Sequence, residues 1–209
     1  MAQPREHITL PEPVTSGDIS LEQLLRQRRS VREYRDTALR LADISQLLWS
    51  AQGLTHPRGY RTAPSAGALY PLELYIVAGN VSDLGPGVYH YQPATNRLTR
   101  IRGGDQRRPL ARSALGQSWI ANAPAVVVFA AEYARTTRKY GERGDRYVHM
   151  EVGHAAQNLF LQAEALGLNT VVVGAFRDEQ LGGVLNIPDG MEPLVLMPVG
   201  RKHGSDSTR

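Results

Sequence analysis

Residues 64–71 read Pro-Ser-Ala-Gly-Ala-Leu-Tyr-Pro, a run of small and apolar residues bracketed by two prolines. The four residues from Ser65 to Ala68 place almost no side-chain bulk beside the main chain, so backbone N–H and C=O groups can approach a flat ligand directly. The run therefore predicts a backbone-lined wall for a cofactor, and residues 64–71 are called the cradle below. A tight turn with one short helical turn is the alternative that these residues leave open.

The composition is that of one globular domain. The chain has 209 residues, of which 42% are hydrophobic and 21% charged, enough to bury a core without cross-links. Cysteine is absent, which excludes disulfides and thiolate chemistry and is typical of a reducing compartment. The net charge of +4 comes from scattered arginines, and no run of residues is apolar enough to span a membrane. We therefore expect a cytoplasmic protein that binds neither nucleic acid nor membranes.

The hydrophobic periodicity predicts an α+β or mixed α/β domain with four or five strands and helices on both faces of the sheet. Residues 1–18 contain three prolines and predict an extended N-terminal arm, residues 19–203 the domain, and residues 204–209 a flexible tail. The patterns predict helices near 20–28, 41–52, 105–116, 144–167 and 177–185, and strands near 72–78, 88–92, 97–102, 125–131, 170–173 and 194–199. The hairpin 88–102 is expected at the edge of the sheet. A doubly wound dinucleotide fold is not expected, because no strand is followed by G-x-G-x-x-G.

Three arginines and a serine lie close together after the first predicted helix: Arg28, Arg29, Ser30 and Arg32. Guanidinium groups bind phosphate in a bidentate manner, and a serine hydroxyl adds a compact donor. The cluster therefore predicts an anion site. A solvated basic end that complements the helix C-terminus is the alternative.

Two further clusters follow predicted strands. Gly174-Ala175-Phe176 could present main-chain N–H groups to a ring nitrogen, or form a plain turn between a strand and a helix. Gly200-Arg201-Lys202-His203 could return to a phosphate bound by residues 28–32, or form a charged tail. Either cluster could therefore add to the same ligand site.

Polar residues interrupt the longest predicted helix. Glu151, His154 and Asn158 lie in one stretch of it, and the last two share a face. No H-E-x-x-H or other complete ligand set accompanies them, so no metal site is expected, and a helix interface with buried hydrogen-bonded groups is favoured. The absence of G-x-S-x-G argues against a serine hydrolase. The remaining acid–base candidates, each of which could instead serve in packing or capping, are Tyr70, Tyr140, Tyr147, Lys139 and His154.

The order of these motifs resembles the FMN-dependent nitroreductase superfamily, and more closely its SagB-type branch, which includes dehydrogenases that oxidise thiazolines and oxazolines in modified peptides. The resemblance covers residues 20–203, and the ordered set of motifs is specific although no single motif is decisive. The matching segments are R-R-S-V-R-E-Y at 28–34, L-L-W-S-A-Q-G at 47–53, Y-R-T-A-P-S-A-G-A-L-Y-P-L-E-L-Y at 60–75, G-V-Y-H-Y at 87–91, K-Y-G-E-R-G-D-R-Y at 139–147, E-V-G-H-A-A-Q-N-L at 151–159, L-G-L at 166–168 and P-V-G at 198–200.

The resemblance implies a nitroreductase-like α+β fold, with a central, mixed but mostly antiparallel sheet flanked by helices. It also implies an intertwined homodimer with two FMN molecules at the subunit interface, each site being built from both chains. Arg28, Ser30 and Arg32 would hold the phosphate and the pyrimidine edge of the flavin. Arg29 would contribute main chain or charge.

Other segments would contact the rest of the flavin. The resemblance implies that the partner subunit lays its cradle along the ring and ribityl chain, through Pro64, Ser65, Ala66, Gly67 and Leu69. Gly174 and Ala175 would present main-chain N–H groups near N5 of the flavin, and Arg201 would return to the phosphate.

The implied activity is FMN-dependent electron transfer in a ping-pong cycle on a small-molecule substrate or a modified peptide. The nitroreductase motif P-S-x-x-N has Ala68 at the position of its asparagine, which favours the SagB-type branch. Azoline oxidases use a lysine and a tyrosine, for which Lys139 and Tyr147 are the candidates. The alternatives are a nitro or quinone reductase with NAD(P)H as electron donor, and a flavin-binding module without turnover.

Overall fold

A seven-stranded sheet forms the centre of the fold. The computed structural model describes residues 6–202, and within them the strands are β1 (His7–Thr9), β2 (Leu72–Ala78), β3 (Gly87–Gln92), β4 (Arg97–Gly103), β5 (Ala125–Ala131), β6 (Leu168–Thr170) and β7 (Glu192–Arg201). Their order across the sheet is β1-β4-β3-β2-β5-β7-β6, and each pair of neighbours is antiparallel. Parallel pairing appears only as isolated bridges in this part of the chain, such as Ser30 with Thr170. The predicted α+β fold with a mostly antiparallel sheet is confirmed.

Helices cover both faces of this sheet. They are α1 (Leu21–Gln27), α2 (Leu41–Gln52), α3 (Arg107–Ser113), α4 (Ser118–Asn122), α5 (Ala134–Tyr140), α6 (Arg143–Ala165) and α7 (Asp178–Leu185). The α1 helix begins at a capping box, in which Gln23 N donates to Ser20 Oγ (3.3 Å) and Ser20 N donates to Gln23 Oε1 (3.4 Å). Across residues 6–202, no helix combines the length and apolar character needed to cross a membrane.

The alternation of side chains along the strands separates two hydrophobic cores. Leu74 and Ile76 of β2 belong to the core that α2 and α6 cover, whereas Tyr75 and Val77 belong to the core that α3, α4 and α7 cover. Strand β5 is buried along its whole length, because helices lie on both of its faces. The unbroken apolar run of its sequence predicts this burial.

The α5 and α6 helices pack closely behind the cradle. A Cβ atom at Gly144 would lie 2.9 Å from the Cα atom of Thr137, so only glycine lets the two helices approach this closely. The 23 residues of α6 span about 34 Å. The long helix contacts β2, β6 and β7 of the sheet and several of the predicted site segments.

The sheet has seven strands rather than the expected four or five. β1 matches none of the predicted ranges, because its three residues are too few to show a period of two. β6 precedes most of the expected strand 170–173, in which Val173 makes an isolated bridge. The helix expected over 105–116 ends early, because Leu115 and Gly116 have positive φ (59° and 76°) and separate α3 from α4. The sequence of α5 has little apolar periodicity and predicts no helix.

The N-terminal segment lies against the domain. β1 pairs with β4, so the predicted hairpin is not the outermost part of the sheet. Leu10 is buried, and Gln46 of α2 bonds to both the N–H and the C=O group of Val14 (2.8 and 2.9 Å). Residues 1–5 and the predicted tail at 204–209, together with His203, lie outside the described residues. The domain boundaries at 18 and 203 therefore stay predictions.

Candidate functional site

The cradle contains one turn of 3₁₀ helix over Ala66–Ala68, the short helical turn that the sequence leaves open. Its φ angles are positive at Gly67 (62°), Ala68 (53°) and Tyr70 (48°), a region that residues other than glycine rarely adopt. A strained residue of this kind costs about 1–3 kcal/mol and persists only where its surroundings enforce it. Pro64, Gly67 and Ala68 are exposed, so the strained main chain lies at the surface.

Tyr70 is held at each of its polar groups. Its N–H donates to Ser65 Oγ (2.9 Å), its C=O accepts from Arg135 Nη1 (3.0 Å), and its hydroxyl accepts from Arg61 N (3.2 Å). The Arg61 guanidinium also lies 4.7 Å from the centre of the Tyr70 ring. These contacts enforce the left-handed backbone at the end of the cradle.

The end of α5 lies against the cradle. A Cβ atom at Gly67 would be 2.8 Å from Tyr140 Oη and 2.9 Å from Lys139 Nζ, so both side chains end at this glycine. The Tyr140 and Tyr147 rings meet edge to face at 5.0 Å, and Lys139 Nζ lies 5.4 Å from the centre of the Tyr140 ring. An amine and a phenol are thereby placed side by side at the exposed backbone.

The sequence prediction pairs Lys139 with Tyr147, and the structure inserts Tyr140 between Tyr147 and the cradle. Tyr140 appears in the sequence only as one of several acid–base candidates. Its position next to Lys139 is the signal that identifies it, but this signal is useful only once α5 is known to end at the cradle.

A buried carboxyl lies beneath the cradle. Glu151 of α6 is 2% exposed and faces the Ser65 hydroxyl, the Arg61 guanidinium and the Gln52 amide. Arg61 Nη1 donates to Gln52 Oε1 (2.9 Å), whereas Glu151 Oε1 and Gln52 Nε2 have no hydrogen-bond partner among the described residues. Burial raises the pKa of Glu151 to about 7, although Ser65, Arg61 and Gln52 act to lower it. The cradle therefore lies over a carboxyl that titrates near neutral pH.

The polar stretch of α6 joins this helix to the chain that enters the cradle. Asn158 Nδ2 donates to Thr62 O (3.3 Å), and Glu151 faces Ser65, as expected for a helix interface with buried polar groups. His154 is exposed and takes no part in these contacts. Over residues 6–202, no three His, Asp or Glu side chains are placed together to hold a metal ion.

The arginine cluster lies beside β6. Ser30 makes a parallel bridge with Thr170 of β6, and the Arg28 guanidinium lies 4.9 Å from the centre of the Phe160 ring on α6. Arg29 Nη1 donates to carbonyl oxygens at the end of α1, among them that of Arg28 (2.8 Å). Arg29 therefore complements the helix end, whereas Arg28 is stacked on an aromatic ring.

The Gly174-Ala175 segment and the arginine cluster both contact the region of α4. The Arg32 guanidinium lies 5.4 Å from the centre of the Trp119 ring, and Gln117, two residues earlier, donates to the Ala175 carbonyl (3.2 Å). Among residues 6–202, apart from the two neighbours in the chain, no atom lies within 4 Å of the position of a Cβ at Gly174, so the main chain there is open. Two clusters that are far apart in sequence are thereby brought together.

Arg201 is engaged within the fold. Its Nη2 atom pairs with Asp43 Oδ2 (2.6 Å), and Asp43 is buried on α2 and also pairs with Arg40 (2.6 Å). Burial alone would raise the pKa of Asp43, but hydrogen bonds from Arg40 and the charge of Arg201 hold it below its usual value. Lys202 pairs with Glu164 of α6. These pairs fix the last strand to α2 and α6 and leave only part of the Arg201 guanidinium available for a ligand.

The predicted site residues form two groups at different positions along α6. The cradle, from Pro64 to Leu69, lies over Glu151, whereas Arg28 stacks on Phe160. These two α6 residues are nine positions apart, about 13 Å along the helix axis. One chain therefore presents a cradle group and an arginine group separately.

We predict that Glu151→Gln changes how stability depends on pH. The pKa of Glu151 is 4.5 ordinarily and about 7 in the folded chain. Between these two pH values, the folded state holds a proton that the unfolded state has lost. The wild-type free energy of unfolding should therefore fall relative to the variant as pH rises, by up to about 1.4 kcal/mol per pH unit, and level off above that range. Urea unfolding at a series of pH values measures this, with Glu22→Gln on the exposed face of α1 as the control. A constant difference between wild type and variant would contradict a buried titrating carboxyl.

Comparison with known proteins identifies relatives over most of the chain. The profile of the nitroreductase family matches residues 25–201. A provisionally assigned nitroreductase of Methanocaldococcus jannaschii, MJ1384, is 51% identical over 185 residues, which cover 88% of this chain and 92% of that protein. The microcin B17-processing protein McbC of Escherichia coli is 28% identical over 180 residues, which cover 78% of this chain and 62% of McbC. The chain thus spans less than two thirds of McbC.

Solved structures agree with these relatives. A provisionally assigned nitroreductase from Ralstonia eutropha superimposes with a TM-score of 0.82 at 31% identity, covering 95% of this chain and 90% of that one. A chain of the E. coli microcin synthetase McbBCD complex with truncated pro-MccB17 bound gives a TM-score of 0.72 at 26% identity, covering 94% and 78%. The family and fold implied by the ordered motifs are confirmed. The chain belongs to the nitroreductase family.

Proposed function

We propose that the protein is an FMN-dependent oxidoreductase of the cytoplasm, whose flavin lies against the cradle. The observation that carries the proposal is the left-handed, exposed backbone at Gly67 and Ala68, strained at Ala68 and faced by Lys139 and Tyr140, in a chain of the nitroreductase family. Strained backbone is concentrated at functional sites, and this strain lies where a flat ring needs a wall free of side chains. FMN, when bound, would supply the two-electron chemistry.

The residues fit FMN at three points. Arg28 and Arg32 lie over aromatic rings, a contact that consumes none of their N–H donors, so these donors would serve a phosphate together with the hydroxyl of Ser30, which lies between them in sequence. The cradle offers main chain to the ring face, and Gly174-Ala175 offers open main chain to the ring edge. Arg29 would add charge, and Arg201 would turn its free edge to the phosphate.

We propose further that each site is shared between two chains. The arginine group and the cradle lie at different positions along α6, and the resemblance to the nitroreductase superfamily implies a site built from both chains. We therefore infer that a flavin held at its phosphate by the arginine group of one chain lies against the cradle of a second copy. A two-fold axis brings unlike segments of two identical chains together in this way, and it generates two equivalent sites.

Side chains of the protein would accept or donate the proton that the substrate exchanges. In an oxidation the substrate loses a hydride equivalent and a proton, and Lys139 Nζ and Tyr140 Oη are the groups placed at the cradle to exchange that proton. Tyr147 packs against the Tyr140 ring and orients it. We therefore assign Lys139 and Tyr140 as the catalytic pair and Tyr147 as their support.

Two substrate classes have support. A modified peptide, oxidised as by a SagB-type dehydrogenase, is supported by the similarity to McbC and to the synthetase chain, and by the lysine–tyrosine pair. A nitro compound or quinone, reduced at the expense of NAD(P)H, is supported by the 51% identity to MJ1384. We favour the first class, because Ala68 replaces the asparagine of the nitroreductase motif.

The arginine group gives a direct test of flavin binding. Each charge-assisted contact contributes about 1.5–3 kcal/mol, so Arg28→Ala with Arg32→Ala should raise the Kd for FMN at least about a hundredfold. Quenching of flavin fluorescence measures the Kd. The control is Arg26→Ala with Arg112→Ala, which removes the same charge from exposed positions. Unchanged affinity in the test variant would move the phosphate site elsewhere.

Mixed dimers test whether the site is shared. Gly67→Val should block the cradle, because a side chain there has a strained φ and meets Tyr140 and Lys139. The mixed dimer joins one Gly67→Val chain to one Arg28→Ala/Arg32→Ala chain and is purified through two different affinity tags. It should bind one FMN per two chains, because one of its two shared sites combines an intact arginine group with an intact cradle. Neither variant should bind FMN alone. A mixed dimer that binds none would place the whole site within one chain.

Anaerobic reduction distinguishes the substrate classes. Rapid bleaching of the flavin absorbance by NADH or NADPH is expected of a nitro or quinone reductase, and no bleaching is expected of a peptide dehydrogenase. Dithionite reduction followed by a screen of electron acceptors provides the control. A reduced flavin that no acceptor reoxidises would contradict both enzymes and favour a binding module.

A further inference from the structure

Arg135 lies at the centre of a group of polar contacts beside the cradle. Its Nη1 atom pairs with Glu73 Oε1 (2.6 Å) and donates to the Tyr70 carbonyl (3.0 Å), and its Nε atom pairs with Glu132 Oε2 (2.8 Å). One guanidinium therefore joins α5, the end of the cradle and the first residues of β2. We call Arg135, Glu73 and the Tyr70 carbonyl the clamp.

Glu73 is the fixed end of the clamp. It lies in β2, which is flanked in the sheet by β3 and β5. The Nε2 atom of His90 on β3 bonds to the second carboxylate oxygen of Glu73 (2.7 Å). The His90 ring in turn lies 5.0 Å from the Tyr75 ring. Burial alone would raise the pKa of Glu73, but hydrogen bonds from His90 and Arg135 hold it below its usual value, so the Glu73 carboxylate is ionised at neutral pH and forms an ion pair with the Arg135 guanidinium.

The α5 helix needs such an attachment. It has seven residues, and a helix of this length is not stable without tertiary contacts. Arg135 and Lys139 are four residues apart and therefore lie on the same face of α5, one turn from each other. Whatever fixes Arg135 against the sheet also sets where the Lys139 side chain begins.

We propose that Arg135 is a positioning residue: through Glu73 and the Tyr70 carbonyl it fixes α5 and thereby holds the Lys139 amine against Gly67 of the cradle. The inference rests on the proposed function in one respect, that Lys139 acts on the substrate. The position of the amine itself is a property of the chain alone and is measured without turnover.

The sequence offers a clean probe, because Lys139 and Lys202 are the only lysines of the chain. Lysine labelled with ¹³C at Cε gives two signals in the 209-residue chain, and Lys202→Arg assigns them. In the wild type, the Lys139 signal should show a nuclear Overhauser contact with the Gly67 Hα atoms and a ring-current shift from Tyr140. In Arg135→Gln we expect the Gly67 contact to be lost and the shift to move to that of a free lysine, with the Lys202 signal unchanged.

Matched variants decide whether the effect belongs to the clamp. Arg138→Gln removes an exposed arginine from the same helix and should leave both signals as in the wild type. Glu73→Gln removes the other partner of the Arg135–Glu73 ion pair and should also abolish the contact between Lys139 and Gly67. It is the deciding variant if Arg135→Gln does not fold. A retained Gly67 contact in the folded clamp variants, or its loss in Arg138→Gln, overturns the proposal. Failure of FMN binding leaves this measurement unaffected, so the two proposals fail separately.

Discussion

The left-handed backbone at Ala68 and Tyr70 is the constraint around which the site is arranged. Two such residues cost a few kcal/mol together, a large share of the 5–15 kcal/mol that stabilises an ordinary domain. The surrounding contacts at Tyr70 offset this cost: Ser65 and Arg61 act from the same loop, and Arg135 acts from α5, which is distant in sequence. The cradle can therefore form only when the sheet and these segments are already in place.

The fold was predictable wherever one physical signal dominates a long segment. The apolar run at 125–131 and the helical spacing at 41–52 both lie within elements whose hydrophobic faces are buried, and both elements appear as predicted. β1 and β6 were not predictable, because three residues carry no period, and their pairing is set by the neighbouring strands. α5 was missed because its place is determined by Arg135 and by its close packing on α6 at Gly144, rather than by an apolar face.

The site shows the same division. The small residues of the cradle and the arginines of 28–32 are local signals, and the structure places the cradle at the surface and Arg28 and Arg32 on aromatic rings. The buried Glu151 beneath Ser65 and the approach of Tyr140 to Gly67 depend on the three-dimensional path of α5 and α6. The spacing of residues in the sequence does not predict how these two helices run in the fold. The ion pair of Arg201 with Asp43 is equally invisible, because 158 residues separate its partners.

The bridge between Ser30 and Thr170 closes one end of the sheet, since β6 is its outermost strand on that side. An open strand edge is a template for pairing with another chain and hence for aggregation. The segment that covers this edge is also the one that carries Arg28 and Arg32. A ligand that anchors these arginines would hold the cover in place, so occupancy of the site and resistance of this strand edge to aggregation would rise together.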